Sequence, residues 1–229
     1  MTGKPRILFA VGSQKPAESN SRSLADYLAE QLRKRGVPSK QIHLLPLVRG
    51  EERWNELFAA VDEADFLFLV FPLFVDSQPW SVVRFMELVG AHRRSSNAGA
   101  MRLAALVNSG FPEARHNEPA LAICRQFAVE SNMSWAGGLA LGSGPVIGGK
   151  PLPDAGRTVR PVMKALEMVA DALAEGRDIP AEAIALMARP LMPHWVYRSV
   201  ATLGLWWTAR KNGVSGKLRA RPFTSPAEP

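Results

Sequence analysis

The chain has 229 residues and a mass of 25.0 kDa, enough for one domain with a full core or one domain plus an appendage. Its 47% hydrophobic and 21% charged residues exclude a wholly disordered chain. A single cysteine, Cys124, excludes a disulfide framework, an iron–sulfur cluster or a multi-cysteine zinc site within one chain. The net charge of +7 is uneven. Residues 183–229 hold seven basic residues against one acid, so +6 sits there, while the other residues hold 21 basic and 20 acidic and carry +1. A nearly neutral body with a basic tail is not the composition of a uniformly basic nucleic-acid binder, and no nucleic acid is expected as a partner. The opening residues lead into an apolar stretch of only about seven residues, too short for a secretory core, so a cytoplasmic location is expected.

Residues 6–11 form a short apolar run ending at Gly12-Ser13, which predicts a buried strand. Ser19-Asn20-Ser21 offers helix-capping oxygens, and Leu24, Tyr27, Leu28 and Leu32 follow at helical spacing up to Gly36. A second strand is read at residues 42–45, and a second helix from Trp54, Leu57, Phe58 and Val61. Six apolar residues, 66–71, suit a strand buried on both faces and stopped by Pro72. A helix follows Pro79, with Val82, Val83, Phe85, Met86 and Val89 as its apolar positions. Residues 103–107 predict the fourth strand, Asn117 with Pro119 a helix start, and residues 135–141 the fifth strand. A glycine- and proline-rich loop at 142–153 leads to a fifth helix over about 157–174.

Five strands alternating with five helices imply a parallel sheet covered on both faces. The expected order is 2-1-3-4-5, with a ligand site outside the C-terminal strand ends at the switch between strands 1 and 3. The domain division is read as residues 1–178 and a basic, tryptophan-containing helical extension, residues 179–229. In that extension Val196, Val200, Leu203 and Trp207 share one helical face, and residues 191–209 fall short of a membrane span.

Three loops leave neighbouring strand ends. The first, residues 12–21, is rich in hydroxyls and opens a helix, whose unpaired N–H groups and partial positive charge suit a phosphate. Ser13, Ser19, Asn20 and Ser21 add side-chain donors; capping alone is the plainer account of an isolated Ser-Asn-Ser. The second, residues 72–79, and the third, residues 108–113, offer backbone amides, an exposed aromatic and small polar side chains that can hold a flat heteroaromatic ring, although Pro, Gly, Asp and Ser are also what turns use.

These residues resemble the flavodoxin-like, NAD(P)H-dependent FMN reductases. The likeness rests on Gly12-Ser13 with residues 19–25, on Ala64-Asp65 with residues 71–74 and 77–79, and on residues 108–111, and it spans about residues 6–174. It implies a flavodoxin-like fold and an FMN-dependent oxidoreductase. Ser13, Ser19, Asn20 and Ser21 would hold the FMN phosphate; Pro72, Leu73 and Phe74 would line one side of the isoalloxazine; Asn108, Ser109 and Gly110 would contact its polar edge. Hydride would pass from NAD(P)H to the flavin and then to a small acceptor such as a quinone or another flavin, in a homodimer, with the cofactor carrying the chemistry and no side-chain acid or base or metal required. The chain departs from the family pattern where Gln14 and Lys15 stand in place of an arginine and Phe74 in place of a tyrosine. A flavodoxin-fold protein without flavin, acting as a binding or regulatory module, is the alternative.

Other signals are weaker. Residues 144–150 spell G-x-x-x-x-G-K, but Pro151 follows and offers no hydroxyl for Mg²⁺, so the stretch reads as loop punctuation or a lid beside the flavin. Ser109 with His116 lacks a G-x-S-x-G elbow. His43 reads as structural, Glu113 and Glu118 as favourable charge near a helix start, and Cys124 as core. Trp195, Trp206 and Trp207 with Arg198, Arg210 and Lys211 suit a packed or dimer-swapped tail, ranked ahead of peripheral contact with an anionic membrane.

Overall fold

The computed structural model describes residues 4–15, 18–96 and 98–220. These divide into two compact units, with the boundary between Leu191 and Met192.

The first unit is built on five parallel strands, β1 (Ile7–Val11), β2 (Ser39–His43), β3 (Phe66–Pro72), β4 (Met101–Asn108) and β5 (Met133–Leu141), in the order β2-β1-β3-β4-β5. The inner strands are apolar at consecutive positions because both faces are covered, and the two-residue alternation sends each set to its own core. Ile7, Phe9, Val11, Phe66, Phe68, Val70, Ala104 and Leu106 face α1 (Asn20–Lys34), α6 (Arg160–Ala174) and α7 (Ala181–Met187). Leu8, Ala10, Leu67, Leu69, Phe71, Leu103, Ala105 and Val107 face α2 (Leu44–Val48), α3 (Trp54–Asp62), α4 (Trp80–Ser95) and α5 (Glu118–Glu130). The fold is flavodoxin-like, as expected from the alternation of elements.

Two boundaries differ from the sequence reading. The second strand ends at His43, and Leu44 begins the single turn α2 instead of continuing it. Leu44, Leu47 and Val48 recur at helical spacing and are all buried, so packing overrides a Leu-Leu pair that looks like strand. Residues 179–191 pack with the first unit. Ile179, Ala183 and Met187 are core residues, and the Ile179 N–H donates to the Ala136 carbonyl at 2.8 Å. The register between β4 and β5 shifts at Leu103/Ala104 and places Gly137 at φ +127, where a Cβ would stand 2.9 Å from Ile179 Cβ. Glycine is what allows that close approach.

The second unit contains α8 (His194–Lys211) and one turn of 3₁₀ helix at Ser215–Lys217. Among the described residues no helix is long and apolar enough to cross a membrane.

Candidate functional site at the C-terminal strand edge

Three loops leave the adjacent ends of β1, β3 and β4, and the segment after β5 folds back onto the first of them. The turn out of β1 depends on Gly12. A Cβ there would lie 2.2 Å from Val82 Cγ2 and 3.0 Å from Phe71 Cβ, so only glycine lets the first turn of α4 close against the loop. Ser13 is buried, and its Oγ accepts from the Lys15 N–H at 3.2 Å. Pro16 and Ala17 lie outside the described residues. Ser19 caps α1, its Oγ accepting from the Arg22 N–H at 3.1 Å, and no acidic side chain occupies the helix's first turn. The positive end of α1 is therefore not neutralised from within its own first turn. The capping function read from Ser19 is present.

Asn20 and Ser21 are held by other loops. Asn20 Oδ1 accepts from the Gly149 N–H at 2.9 Å. Gly149 stands at φ +69, and a Cβ on it would lie 3.0 Å from the Glu18 carbonyl carbon. The G-x-x-x-x-G-K stretch opens no α-helix, only a 3₁₀ turn at Leu152–Ala155, and it presses on the first loop. Ser21 Oγ accepts from Asn108 Nδ2 at 2.9 Å, and the same Nδ2 donates to the Phe71 carbonyl at 3.1 Å. Asn108 is buried, and both its amide hydrogens are used within the protein. Its own carbonyl accepts from the Leu73 N–H at 2.8 Å. Asn108 thus braces the first and second loops from the end of β4.

The second loop closes as a tight turn. Phe74 and Ser77 exchange backbone hydrogen bonds of 2.8 and 3.0 Å, while Val75 and Asp76 stand at φ 47 and 59. A β-branched residue in the left-handed region is strained, and Val75 is 99% exposed, so no packing offsets the strain. Pro72 and Leu73 are half-buried at the base, and the Phe74 ring is exposed. Gln78 anchors the loop's far end, donating from Nε2 to the Ala120 carbonyl at 3.0 Å. Trp80, which opens α4, adds a second exposed aromatic that the sequence reading missed; its place directly after Pro79 was the available signal.

In the third loop Ser109 is buried, and its Oγ has no hydrogen-bond partner among the described residues. The same holds for Ser143, which the sequence reading also missed. The two segments are tied together: the Gly144 N–H donates to the Ser109 carbonyl at 2.8 Å and the Ser143 N–H to the Phe111 carbonyl at 2.6 Å. A Cβ on Gly110 would meet nothing within 4 Å. Phe111 is exposed, its ring centroid 4.4 Å from that of His116. His116 lies beside Phe111 and Glu113 rather than hydrogen-bonded to Ser109, so no nucleophile–base pair forms.

The remaining titratable groups take structural places. Cys124 is fully buried, and burial pushes its thiol up to about 12. Both ring nitrogens of His43 are buried without a hydrogen-bond partner among the described residues, and burial, reinforced by the charge of Arg22, lowers its pKa. No group of three or more His, Cys, Asp or Glu among the described residues can hold a metal.

No protein-family model and no curated protein sequence matches the chain. Solved structures do match. The flavodoxin, WrbA-like protein from Agrobacterium tumefaciens is 13% identical, with 76% of this chain and 97% of that chain covered and a TM-score of 0.54. RosB with bound 8-demethyl-8-formylriboflavin-5'-phosphate is 11% identical, with 98% and 91% covered and a TM-score of 0.57. The FMN-dependent NADH-azoreductase from Bacillus anthracis str. Ames Ancestor in complex with FMN is 12% identical, with 74% and 99% covered and a TM-score of 0.53. Likeness at these identities is a likeness of fold.

Proposed function

We propose that the C-terminal strand edge is an FMN site and that the protein is an NAD(P)H-dependent FMN oxidoreductase acting on a small acceptor such as a quinone or a free flavin. The observation that carries this reading is the start of α1, capped by Ser19 and with no acid in its first turn, at the strand edge where the second loop sets the exposed Phe74 ring. A helix start of this kind suits a phosphate, and the switch between β1 and β3 is where a doubly wound sheet takes its ligand. Two of the structures sharing the fold hold a flavin phosphate, FMN in one and the formylriboflavin phosphate in the other.

The residues divide into holders and braces. The start of α1, with Ser13 and Ser19, is the phosphate cradle. Its charge complement comes from backbone N–H groups and the helix end, since Gln14 stands where the family places arginine. Asn20, Ser21 and Asn108 keep the cradle's shape through their bonds to Gly149, to one another and to Phe71. Pro72, Leu73 and Phe74 form an apolar wall for the ring, and the third loop, residues 108–110, borders its polar edge. Bound FMN supplies the hydride chemistry.

The visible spectrum of purified protein, with and without an FMN soak, tests this. A stoichiometric yellow flavin signal bleached by NAD(P)H is the expected result. A protein that stays colourless after the soak overturns it and favours the second reading, a flavin-free binding module. One observation favours that alternative: Ser21 and Asn108 already satisfy each other without any ligand.

A further inference from the structure

The second unit presents an exposed apolar face with basic residues within it and beside it. At about 100° per residue, Trp195, Val196, Val200, Leu203, Trp206 and Trp207 fall within an arc of about 140° on α8. Trp195 is 72% exposed, Trp207 70%, Leu203 61%, Val200 60% and Trp206 42%. Helices that face a core do not leave such side chains in water. Leu218, beyond the helix, is exposed as well.

Among the described residues of this unit the charge has one sign: residues 192–220 contain no Asp or Glu, and Arg198, Arg210, Lys211, Lys217 and Arg219 lie on or just after α8. Arg210 falls within the apolar arc, and its guanidinium carbon lies 5.5 Å from the Trp206 ring centroid. That pairing keeps an apolar stem on the ring while the charge reaches outward.

A second copy of this face is a poor complement, because among the described residues five basic side chains would meet five others with no acid on either side. Nucleic acid would neutralise the charge but leave the aliphatic and indole surface in water. An anionic bilayer answers both features. Its headgroup charge matches the arginines and lysines, and its interfacial layer is where tryptophan rings settle. Among the described residues no helix is long and apolar enough to cross, so the contact argued for is a peripheral one.

We propose that α8 and the basic segment behind it form a peripheral docking surface for an anionic lipid bilayer, with Trp195, Trp206 and Trp207 as interfacial anchors. The inference stands on the second unit and does not depend on flavin at the first.

The test uses the full-length protein with phosphatidylcholine vesicles, with and without phosphatidylserine, read by co-sedimentation and by quenching of tryptophan fluorescence with brominated lipid. The expected result is binding at least about tenfold stronger to the anionic vesicles, weakened by salt and accompanied by quenching. W195A/W207A should lose the quenching, and R210E/K211E should lower anionic binding by at least about tenfold. Equal affinity for both vesicle types, binding without quenching, or a stable dimer by light scattering that W195A/W207A dissolves would each overturn the proposal, the last assigning the face to a second copy. Because each variant leaves the first unit's residues untouched, its flavin spectrum reports separately on the FMN reading.

Discussion

Asn108 Nδ2 sits 2.9 Å from Ser21 Oγ and 3.1 Å from the Phe71 carbonyl oxygen, so one buried amide joins the ends of β3 and β4 to the first turn of α1. Replacing it with leucine removes both bonds and strands two buried acceptors. The expected cost is about 1–3 kcal/mol, measured by urea unfolding. Asn108→Asp should cost at least as much, because a carboxylate oxygen would then face the Phe71 carbonyl. Stability unchanged in both variants would mean that the three loops hold their shape without this brace.

Gly12 should tolerate no side chain. Its alanine variant drives a methyl into Val82 Cγ2, and overpacking of this kind costs about 1–3 kcal/mol. Combining it with Val82→Ala removes the obstructing atom, so the two losses should be less than additive in a double-mutant cycle. Strict additivity would show that the contact is not what restricts the position.

How far these relationships were legible depends on sequence separation. Strands β1, β3, β4 and β5 stood out as continuous apolar runs because both their faces are covered. Strand β2 did not, since Lys40 and Gln41 lie on a partly exposed edge and Ile42 is its only buried residue. The three loops were visible from Gly, Pro and Ser at strand ends. The partnership of Ser21 with Asn108 was not, because 87 residues separate them and each looks like a ligand donor when read alone. The same distance effect hid Asn20 with Gly149 and left Ser143 unnoticed inside a glycine-rich loop. Residues 179–191 read as the start of the extension because prolines stand near their two ends, at 180 and 190, and the contact of Ile179 and Met187 with the core is long-range and not visible in that pattern.

The tip of the second loop stores strain that a better turn residue should release. Val75 and Asp76 both stand at positive φ, the pattern of a two-residue hairpin turn in which Asn-Gly is favoured. Val75→Asn combined with Asp76→Gly should therefore stabilise the protein by about 1 kcal/mol. Thermal unfolding measures this; a loss of stability would mean that the Val75 conformation is held by something other than the local turn.

His43 should make stability fall with acidity. Burial lowers its folded pKa below the ordinary 6.5, and neither ring nitrogen has a hydrogen-bond partner among the described residues. Above 6.5 the ring is neutral in both states and its contribution is fully present. As pH falls below that value the unfolded chain takes up the proton first, and stability is lost until the folded pKa is passed. Comparing urea midpoints at about pH 7.5 and about pH 5.5, the drop should shrink in a His43→Phe variant. An identical drop in wild type and variant would assign the acid sensitivity elsewhere.

The proposed phosphate cradle can be probed without disturbing its cap. Aspartate caps a helix as well as serine does, so Ser19→Asp preserves the bond to the Arg22 N–H while placing a negative charge where the flavin phosphate would sit. Adding Ser13→Asp puts a second carboxylate on the same loop. Unfolding midpoints should stay close to wild type for Ser19→Asp, while FMN affinity falls by roughly two orders of magnitude in the double variant as charge-assisted hydrogen bonds give way to repulsion. Riboflavin, which has the ring but no phosphate, should be affected far less. Equal losses for FMN and riboflavin would place the damage at the ring, and retention of FMN at wild-type affinity would remove the start of α1 from the site.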